Sequence, residues 1–324
     1  MSRILVTGAS GFVGNLLCEA LSQRQYQVRA AVRSSHQSLG GIEKAVVGSI
    51  DGQTDWVDAV AETEVVIHLA ARVHVMKDSA ADPLGEFRKV NLHGTENLAR
   101  QAVRAGVKRF VYVSSIKVNG EQTTGEQFFA ESDQAAPQDP YGVSKWQAEQ
   151  ALHRISLETG LEVVIVRPPL VYGPGVKGNF IALMNAIDKG IPLPLAGALN
   201  ARSLVYVGNL VEALIACVTN PAAAGQTYLV SDGEEVSTAM LVERIAKALG
   251  RGSRSFYFPP GLLRAAAGLL GRAEQIDRLF GSLRISDQKI RRELNWMPPY
   301  SMEQGLRATA DWYRKRHNGY NQGS

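Results

Sequence analysis

The sequence has little of what would mark several protein classes. Among 324 residues there are two cysteines, Cys18 and Cys217, each within a helical pattern and far apart. Thiols so placed are expected to pack as small apolar groups, not to form a disulfide framework or a thiolate metal centre. Six histidines without metal-ligand spacing predict no metal. The longest apolar runs, 65–69 and 163–166, are strand-sized, against the roughly 20 residues a membrane span requires. No integral membrane segment is therefore expected. Charge is nearly balanced: 35 Lys plus Arg against 31 Asp plus Glu leave +4, which gives no sign of a nucleic-acid partner. The densest basic run, Arg314-Lys315-Arg316, closes a helical pattern, where positive side chains suit the negative helix end. The chain enters its first apolar strand by residue 4 with no signal peptide before it, and a cytoplasmic location is expected.

What is present is an alternation. Apolar strand-like runs occur at 4–7, 28–32, 45–47, 65–69, 110–113 and 163–166, with helical patterns at 12–23, 83–105 and 141–159. The strands are apolar throughout, as strands buried on both faces are. Such an order predicts an α/β fold of the Rossmann type, a doubly wound parallel sheet whose ligands sit beyond the C-terminal strand ends. After Arg167-Pro168-Pro169 the texture changes to Gly/Pro clusters and shorter helices at 208–218 and 238–249. We therefore expect a dinucleotide-binding domain over 1–168, rejoined by 203–232, a smaller C-terminal α/β substrate lobe over 169–316, and a flexible tail over 317–324. The apolar stretch 261–271 predicts a helix that is buried or faces a partner.

Directly after the first strand comes Thr7-Gly8-Ala9-Ser10-Gly11-Phe12-Val13-Gly14. Gly8 permits a tight turn, Gly11 a close backbone approach to a pyrophosphate, and Gly14 the seating of the helix on the strand. Free N–H groups at the helix start can then bind phosphate. Its place between a strand and an amphipathic helix is the context this motif needs. The second strand ends in Ala30-Ala31-Val32-Arg33-Ser34, with no acidic residue to hold the ribose hydroxyls of NAD. Arg33 can instead grip a 2′-phosphate in fork geometry, so NADP(H) is favoured and NAD(H) remains possible.

Further motifs follow in order: Val66-Ile67-His68-Leu69-Ala70-Ala71, Val90-Asn91-Leu92-His93-Gly94-Thr95-Glu96-Asn97-Leu98, Ser114-Ser115, Tyr141-Gly142-Val143-Ser144-Lys145, 167–173 and Arg202-Ser203-Leu204-Val205-Tyr206-Val207. Together they resemble the extended short-chain dehydrogenases/reductases acting on nucleotide sugars, over nearly the whole chain. The resemblance implies a catalytic group of Ser115, Tyr141 and Lys145. It implies cofactor contacts at Gly8, Ser10, Gly11, Phe12, Val13, Arg33, Leu69, Ala70, Ala71, Asn91, Ser114, Tyr141, Lys145 and Pro168. A homodimer through 83–105 and 141–159 is also implied. The chemistry is sound on its own terms. Tyr141 and Lys145 lie four apart on one helix face. A phenol of pKa about 10 is a poor base at neutral pH, and a nearby ammonium is expected to lower it. Tyr141 can then exchange a proton with a sugar oxygen while hydride moves between carbon and nicotinamide, with Ser115 bonding the same oxygen.

Among the family's reactions, 4,6-dehydration commonly uses an Asp-Glu pair after the catalytic Ser or Thr; here those positions are Ile116 and Lys117. Asn119 replaces the Tyr of a Val-Tyr-Gly ending common in epimerases, and Leu170 stands where many epimerases have a substrate-binding Asn. With Arg33, these features resemble bacterial reductases that act on the C4 keto group of UDP-4-keto-6-deoxy-N-acetylhexosamines to make UDP-N-acetylquinovosamine or UDP-N-acetylfucosamine for surface polysaccharide. The alternative is a UDP-glucose or UDP-N-acetylglucosamine 4-epimerase with tightly bound NAD. A non-catalytic dinucleotide sensor is the outside alternative. For the UDP-sugar, the resemblance points to Ser115, Lys117, Asn179, Phe180 and Arg202. The second diphosphate-binding Arg is open among Arg272, Arg278 and Arg284, with Arg278 as the candidate. His74 and Lys117 can face the sugar.

Overall fold

A computed structural model describes residues 3–36, 39–73, 82–269 and 273–320. Ten strands are described: β1 (Arg3–Thr7), β2 (Gln27–Val32), β3 (Glu43–Val46), β4 (Val65–His68), β5 (Arg109–Val113), β6 (Glu162–Arg167), β7 (Leu170–Tyr172), β8 (Arg202–Tyr206), β9 (Thr227–Leu229) and β10 (Glu235–Val236). Seven form one sheet in the order β3-β2-β1-β4-β5-β6-β9, and every pairing in it is parallel. The order reverses between β1 and β4, the crevice where doubly wound sheets hold ligands. The other three form a small sheet, β10-β8-β7.

The apolar strands are buried on both faces, as their composition predicts. Ile4, Val6, Val65, Ile67, Val111, Val164 and Val166 point to one side, against the helices Phe12–Gln23 and Val207–Thr219. Leu5, Val66, Phe110, Tyr112, Val163 and Ile165 point to the other, with Leu98, Ala102, Leu152 and Ile155 from the helices Thr95–Arg104 and Pro140–Thr159. Alternate residues thus feed two cores. A third core unites β7, β8 and the helices Gly178–Asp188, Thr238–Leu249 and Met302–Tyr320.

Four details differ from the sequence expectation. The pattern at 83–105 is not one helix: Pro83–Arg88 and Thr95–Arg104 flank a widened π turn, Lys89–Gly94. Gly94 there lies so close to Ile50 that a Cβ would come within 2.7 Å of its Cγ2. The return to the large sheet begins after β8, which belongs to the small sheet, and is made by Val207–Thr219 and β9. The helix Pro260–Leu269 is not buried within the chain; Gly261, Leu262, Arg264, Ala265 and Gly268 are exposed. The last helix continues to Tyr320, past the expected end of the lobe at 316, and 321–324 lie outside the described residues. Among the described residues, no helix is long and apolar enough to cross a membrane.

Two buried arginines close helix ends against the sheet, a role their sequence neighbourhood did not reveal. Arg109 Nη1 donates to the carbonyls of Cys217, Val218 and Asn220 at 3.0, 2.9 and 2.8 Å, while Nε donates to Glu162. Arg29 does the same for Asp58, Ala59 and Ala61, paired with Glu43. Each satisfies carbonyls that a helix end leaves unpaired. Arg109→Met removes every donor at once and should cost about 3 kcal/mol. The expected outcome is a clearly lowered Tm with dinucleotide affinity unchanged; an unchanged Tm would contradict this role.

Candidate active site

The crevice at the C-terminal edge of the large sheet opens into a cleft of about 860 Å³. Gly8, Ser10, Gly11, Phe12, Val13, Arg33, Leu69, Ala70, Ala71, Ser114, Ser115, Tyr141, Lys145 and Pro168 all line it. Gly8 has φ of +67°, and a Cβ there would lie 2.8 Å from the Ala70 nitrogen. A Cβ on Gly14 would lie 2.2 Å from the Gly8 oxygen. Gly11 begins the helix Phe12–Gln23, and the first helical turn carries no acidic residue, so its N–H groups face the cleft without a competing carboxylate. The buried Ser114 Oγ, also at the cleft wall, has no protein partner. A bare backbone cradle, a helix N-terminus and an orphaned hydroxyl along one cleft fit a nicotinamide dinucleotide, which the glycine turn, Leu69–Ala71 and Ser114 would hold.

The loop after β4 is held by a chain of hydrogen bonds whose direction can be read. The Ala70 N–H donates to Thr7 Oγ1 (3.1 Å), and Thr95 Oγ1 donates to the Asn91 carbonyl (2.7 Å). Thr95 must therefore accept from His68 Nε2–H (3.0 Å), which leaves Nδ1 to accept from the Thr7 hydroxyl (2.6 Å). His68 is buried and stacked on Tyr112, 5.8 Å between centroids. Burial, assisted by the charge of Lys145, pushes its pKa down to about 3, so the neutral tautomer persists. Asn91 does not line the cleft. Its side chain bonds Arg72 N and O, at 2.8 and 3.0 Å, and Ser144 Oγ at 3.0 Å; Ser144 in turn donates to the Tyr141 carbonyl. Asn91 thereby holds the start of the helix that carries Tyr141 and Lys145.

Ser115 sits two residues beyond the end of β5, and Tyr141 and Lys145 open the helix Pro140–Thr159. Asp139 caps that helix, accepting from Gly142 N at 2.6 Å, and Pro140 starts it. Lys145 is 1% exposed; its Nζ donates to the Val113 carbonyl at 2.6 Å and lies 4.1 Å from the Tyr112 ring centre. Burial pulls its pKa down to about 7, against the opposing pull of Glu149. The expectation that an ammonium lowers the Tyr141 pKa does not hold. Burial, reinforced by Asp139, pushes the phenol up to about 12, and a hydrogen bond with Ser115 only partly offsets this. Burial disfavours charge on both groups, and the carboxylate of Asp139 adds to this at the phenol.

The expected sugar-side residues separate. Lys117 is paired with Asp139 and with Glu121 (2.9 Å), so its ammonium is committed to carboxylates. Arg202 Nη1 donates to the carbonyls of Arg278 (2.6 Å) and Gly281 (3.0 Å), which brings the turn bearing Arg278 against it. Arg284 pairs with Glu235 and covers the Phe128 ring at 4.0 Å. Asn179 is exposed at the start of Gly178–Asp188, whereas the Phe180 side chain is buried and stacked on Tyr172. Asn119 is buried, bonded to Ala130 and to Arg167, whose other nitrogens pair with buried Glu149. His74 and Arg272 lie outside the described residues. Sequence reasoning missed Val47, Gly48, Ser49 and Ile50, which line the cleft. Their position just after the third parallel strand was the available signal, because every such strand end faces the same crevice. It also missed Lys177, an exposed cation in the cleft wall before the helix Gly178–Asp188. Among the described residues, no cluster of His, Cys, Asp or Glu could hold a metal.

Residues 4–231 match the model of the NAD dependent epimerase/dehydratase family. The chain is 43% identical over 317 residues to a UDP-glucose 4-epimerase of Vibrio cholerae, covering 97% of this chain and 96% of that one. It is 29% identical over 274 residues to an N-acetyl-alpha-D-glucosaminyl-diphospho-ditrans,octacis-undecaprenol 4-epimerase of Escherichia coli O157:H7, covering 83% and 77%. Among solved structures, MoeE5 in complex with UDP-glucuronic acid and NAD superimposes with a TM-score of 0.80 at 25% identity, over 97% of this chain and all of that one.

Two outcomes follow from the cleft. Gly14→Ala forces the Gly8 turn out of place, so dinucleotide affinity, measured by calorimetric titration, should fall by at least about tenfold, roughly 1.4 kcal/mol. Unchanged affinity would remove the glycine turn from the cofactor site. Lys145 has a folded pKa of about 7 against an ordinary 10.5, so the unfolded chain binds that proton more tightly. Its burden on stability is full below pH 7 and fades as pH rises towards 10.5. Lys145→Met should therefore gain most in Tm over the native protein near pH 6 and lose that gain towards pH 10. A gain constant with pH would contradict the buried, proton-shedding lysine.

Proposed function

Because the chain belongs to the NAD dependent epimerase/dehydratase family, we propose that it interconverts the C4 epimers of a UDP-hexose, UDP-glucose or UDP-N-acetylglucosamine, on a tightly held NAD. The observation that carries this reading is the end-to-end similarity to the Vibrio cholerae UDP-glucose 4-epimerase, joined to a Ser115–Tyr141–Lys145 group that opens on a dinucleotide-shaped cleft. This departs from the ketoreductase that the sequence favoured. When bound, NAD supplies the acceptor for the C4 hydride. Tyr141 exchanges the proton of the C4 hydroxyl, and Ser115 holds that oxygen. Lys145, with a pKa near 7, can pass a proton to and from the neighbouring polar groups at neutral pH. Once the keto sugar turns over in the cleft, Tyr141 would return the proton to the C4 oxygen, and the hydride would come back from the cofactor and not from a side chain. Dehydration is disfavoured, since Ile116 is buried apolar surface and Lys117 is a paired cation where an acid would be needed.

A second reading, reduction of a UDP-4-keto-6-deoxy-N-acetylhexosamine by NADPH, is favoured by two observations. Arg33 is exposed at the cleft with no acid from Ala30 to Ser35, and Leu170 presents a half-exposed apolar side chain at β7. The sensor reading is disfavoured by the complete Ser-Tyr-Lys group.

The test incubates purified protein with UDP-galactose, and separately with UDP-N-acetylgalactosamine, without added cofactor. The expected outcome is conversion to the gluco epimer, with kcat reduced about a thousandfold in Tyr141→Phe. Absence of conversion, with rapid NADPH consumption on the 4-keto sugar nucleotide, would overturn the epimerase in favour of the reductase.

A further inference from the structure

Lys117 was expected to face the sugar, yet the structure turns it to the protein. Ser115 caps the short turn Ile116–Val118, and its Oγ accepts from Lys117 N at 3.3 Å. Two residues after Ser115, Lys117 Nζ reaches Asp139 Oδ2; two residues after Asp139 is Tyr141. The other Asp139 oxygen caps the Tyr141 helix through Gly142 N. The two segments touch here: a Cβ on Gly142 would lie 3.0 Å from the Lys117 carbonyl and 3.1 Å from Asp139 Oδ1. Both charged side chains are about three-quarters or more buried, with 26% and 19% exposed, so bulk salt screens them less than a surface pair. Glu121 takes the second bond of the ammonium and lies close enough to influence Arg202.

We propose that Lys117 and Asp139 are positioning residues for the catalytic pair: their ion pair ties the Ser115 segment to the Tyr141 helix and neutralises the carboxylate that the helix cap places beside the phenol. This rests on the reading of Ser115 and Tyr141 as the proton-exchanging pair. The cap makes the carboxylate necessary, and its negative charge works against phenolate formation. A cation at 117 resolves that conflict while leaving the cap intact. Among the described residues, few other charges surround the phenol. Lys145 and Glu149 lie further along the same helix. From β5 comes Tyr112, with neutral His68 stacked behind it. From Pro83–Arg88 comes the Phe87 ring, 6.0 Å away, with the Arg72 guanidinium over it. Glu121 stands behind Lys117.

The test follows the ¹³Cζ resonance of Tyr141, assigned by its loss in Tyr141→Phe, through a pH titration of the full chain as purified. The pH profile of kcat on a UDP-hexose is recorded in parallel. Asp139→Asn keeps an acceptor for Gly142 N and removes the charge; it should bring the Tyr141 titration down by about one pH unit. Lys117→Met leaves the carboxylate uncompensated and should move the onset of the titration to higher pH. Lys117→Arg, which keeps the charge, should stay with the native protein. Opposite displacements support the proposal. No displacement, or displacement of both in one direction, overturns it. Because the resonance needs no turnover, a protein inactive on every UDP-hexose would sink the proposed function and still decide this one.

Discussion

At the end of β1 the Gly8 backbone lies against Ala70 and against the first turn of the helix Phe12–Gln23, closer than any side chain would allow. This backbone contact is what the rest of the site is built on. It aligns the N–H groups that can receive a diphosphate, and it fixes the loop after β4 that forms the opposite wall. The contact is kept by polar wiring within a dry interior. Thr7, His68, Thr95 and Asn91 satisfy one another in a single consistent direction, so no buried polar atom in that chain is left over. Asn91 and Ser144 then carry the constraint to the backbone of Tyr141. The glycine turn, the loop after β4 and the Tyr141 helix are thus joined at the sheet edge.

Electrostatics sets the charge state of that assembly. Burial drives Lys145 towards its neutral form and keeps Tyr141 protonated. Both shifts disfavour isolated charge in a poorly solvated cleft. Such costs are typical of functional sites, where folding stability is given up for reactivity. The buried Arg167–Glu149 pair, by contrast, is fully matched, with Asn119 on the remaining guanidinium nitrogen. It braces the helix of Tyr141 against β6, and it accounts for Asn119 as a structural residue.

The large sheet and the glycine turn were legible because each rests on a local rule, whereas the Ser115–Tyr141–Lys145 group was read from a family resemblance. Apolar strands such as Ile4–Val6 feed two cores, and Gly8 and Gly14 are demanded by contacts within a few residues of themselves or across adjacent strands. What the sequence hid depends on partners far along the chain. Lys117 meets Asp139, 22 residues away; Arg109 meets carbonyls more than 100 residues on. Neither can be inferred from neighbours. The π turn at Lys89–Gly94 was hidden for the same reason, since Gly94 packs against Ile50 and Asn91 bonds Arg72. The choice between epimerase and reductase was the least legible, because Arg33 and Leu170 report on cofactor and sugar indirectly.

The proposed epimerase requires that this cleft retain NAD as a resident cofactor. The most direct measurement is to denature the protein after gel filtration and identify the dinucleotide released. The account predicts close to one NAD per chain, carried through purification without addition. Protein released empty, and binding NADPH in preference to NAD, would contradict it.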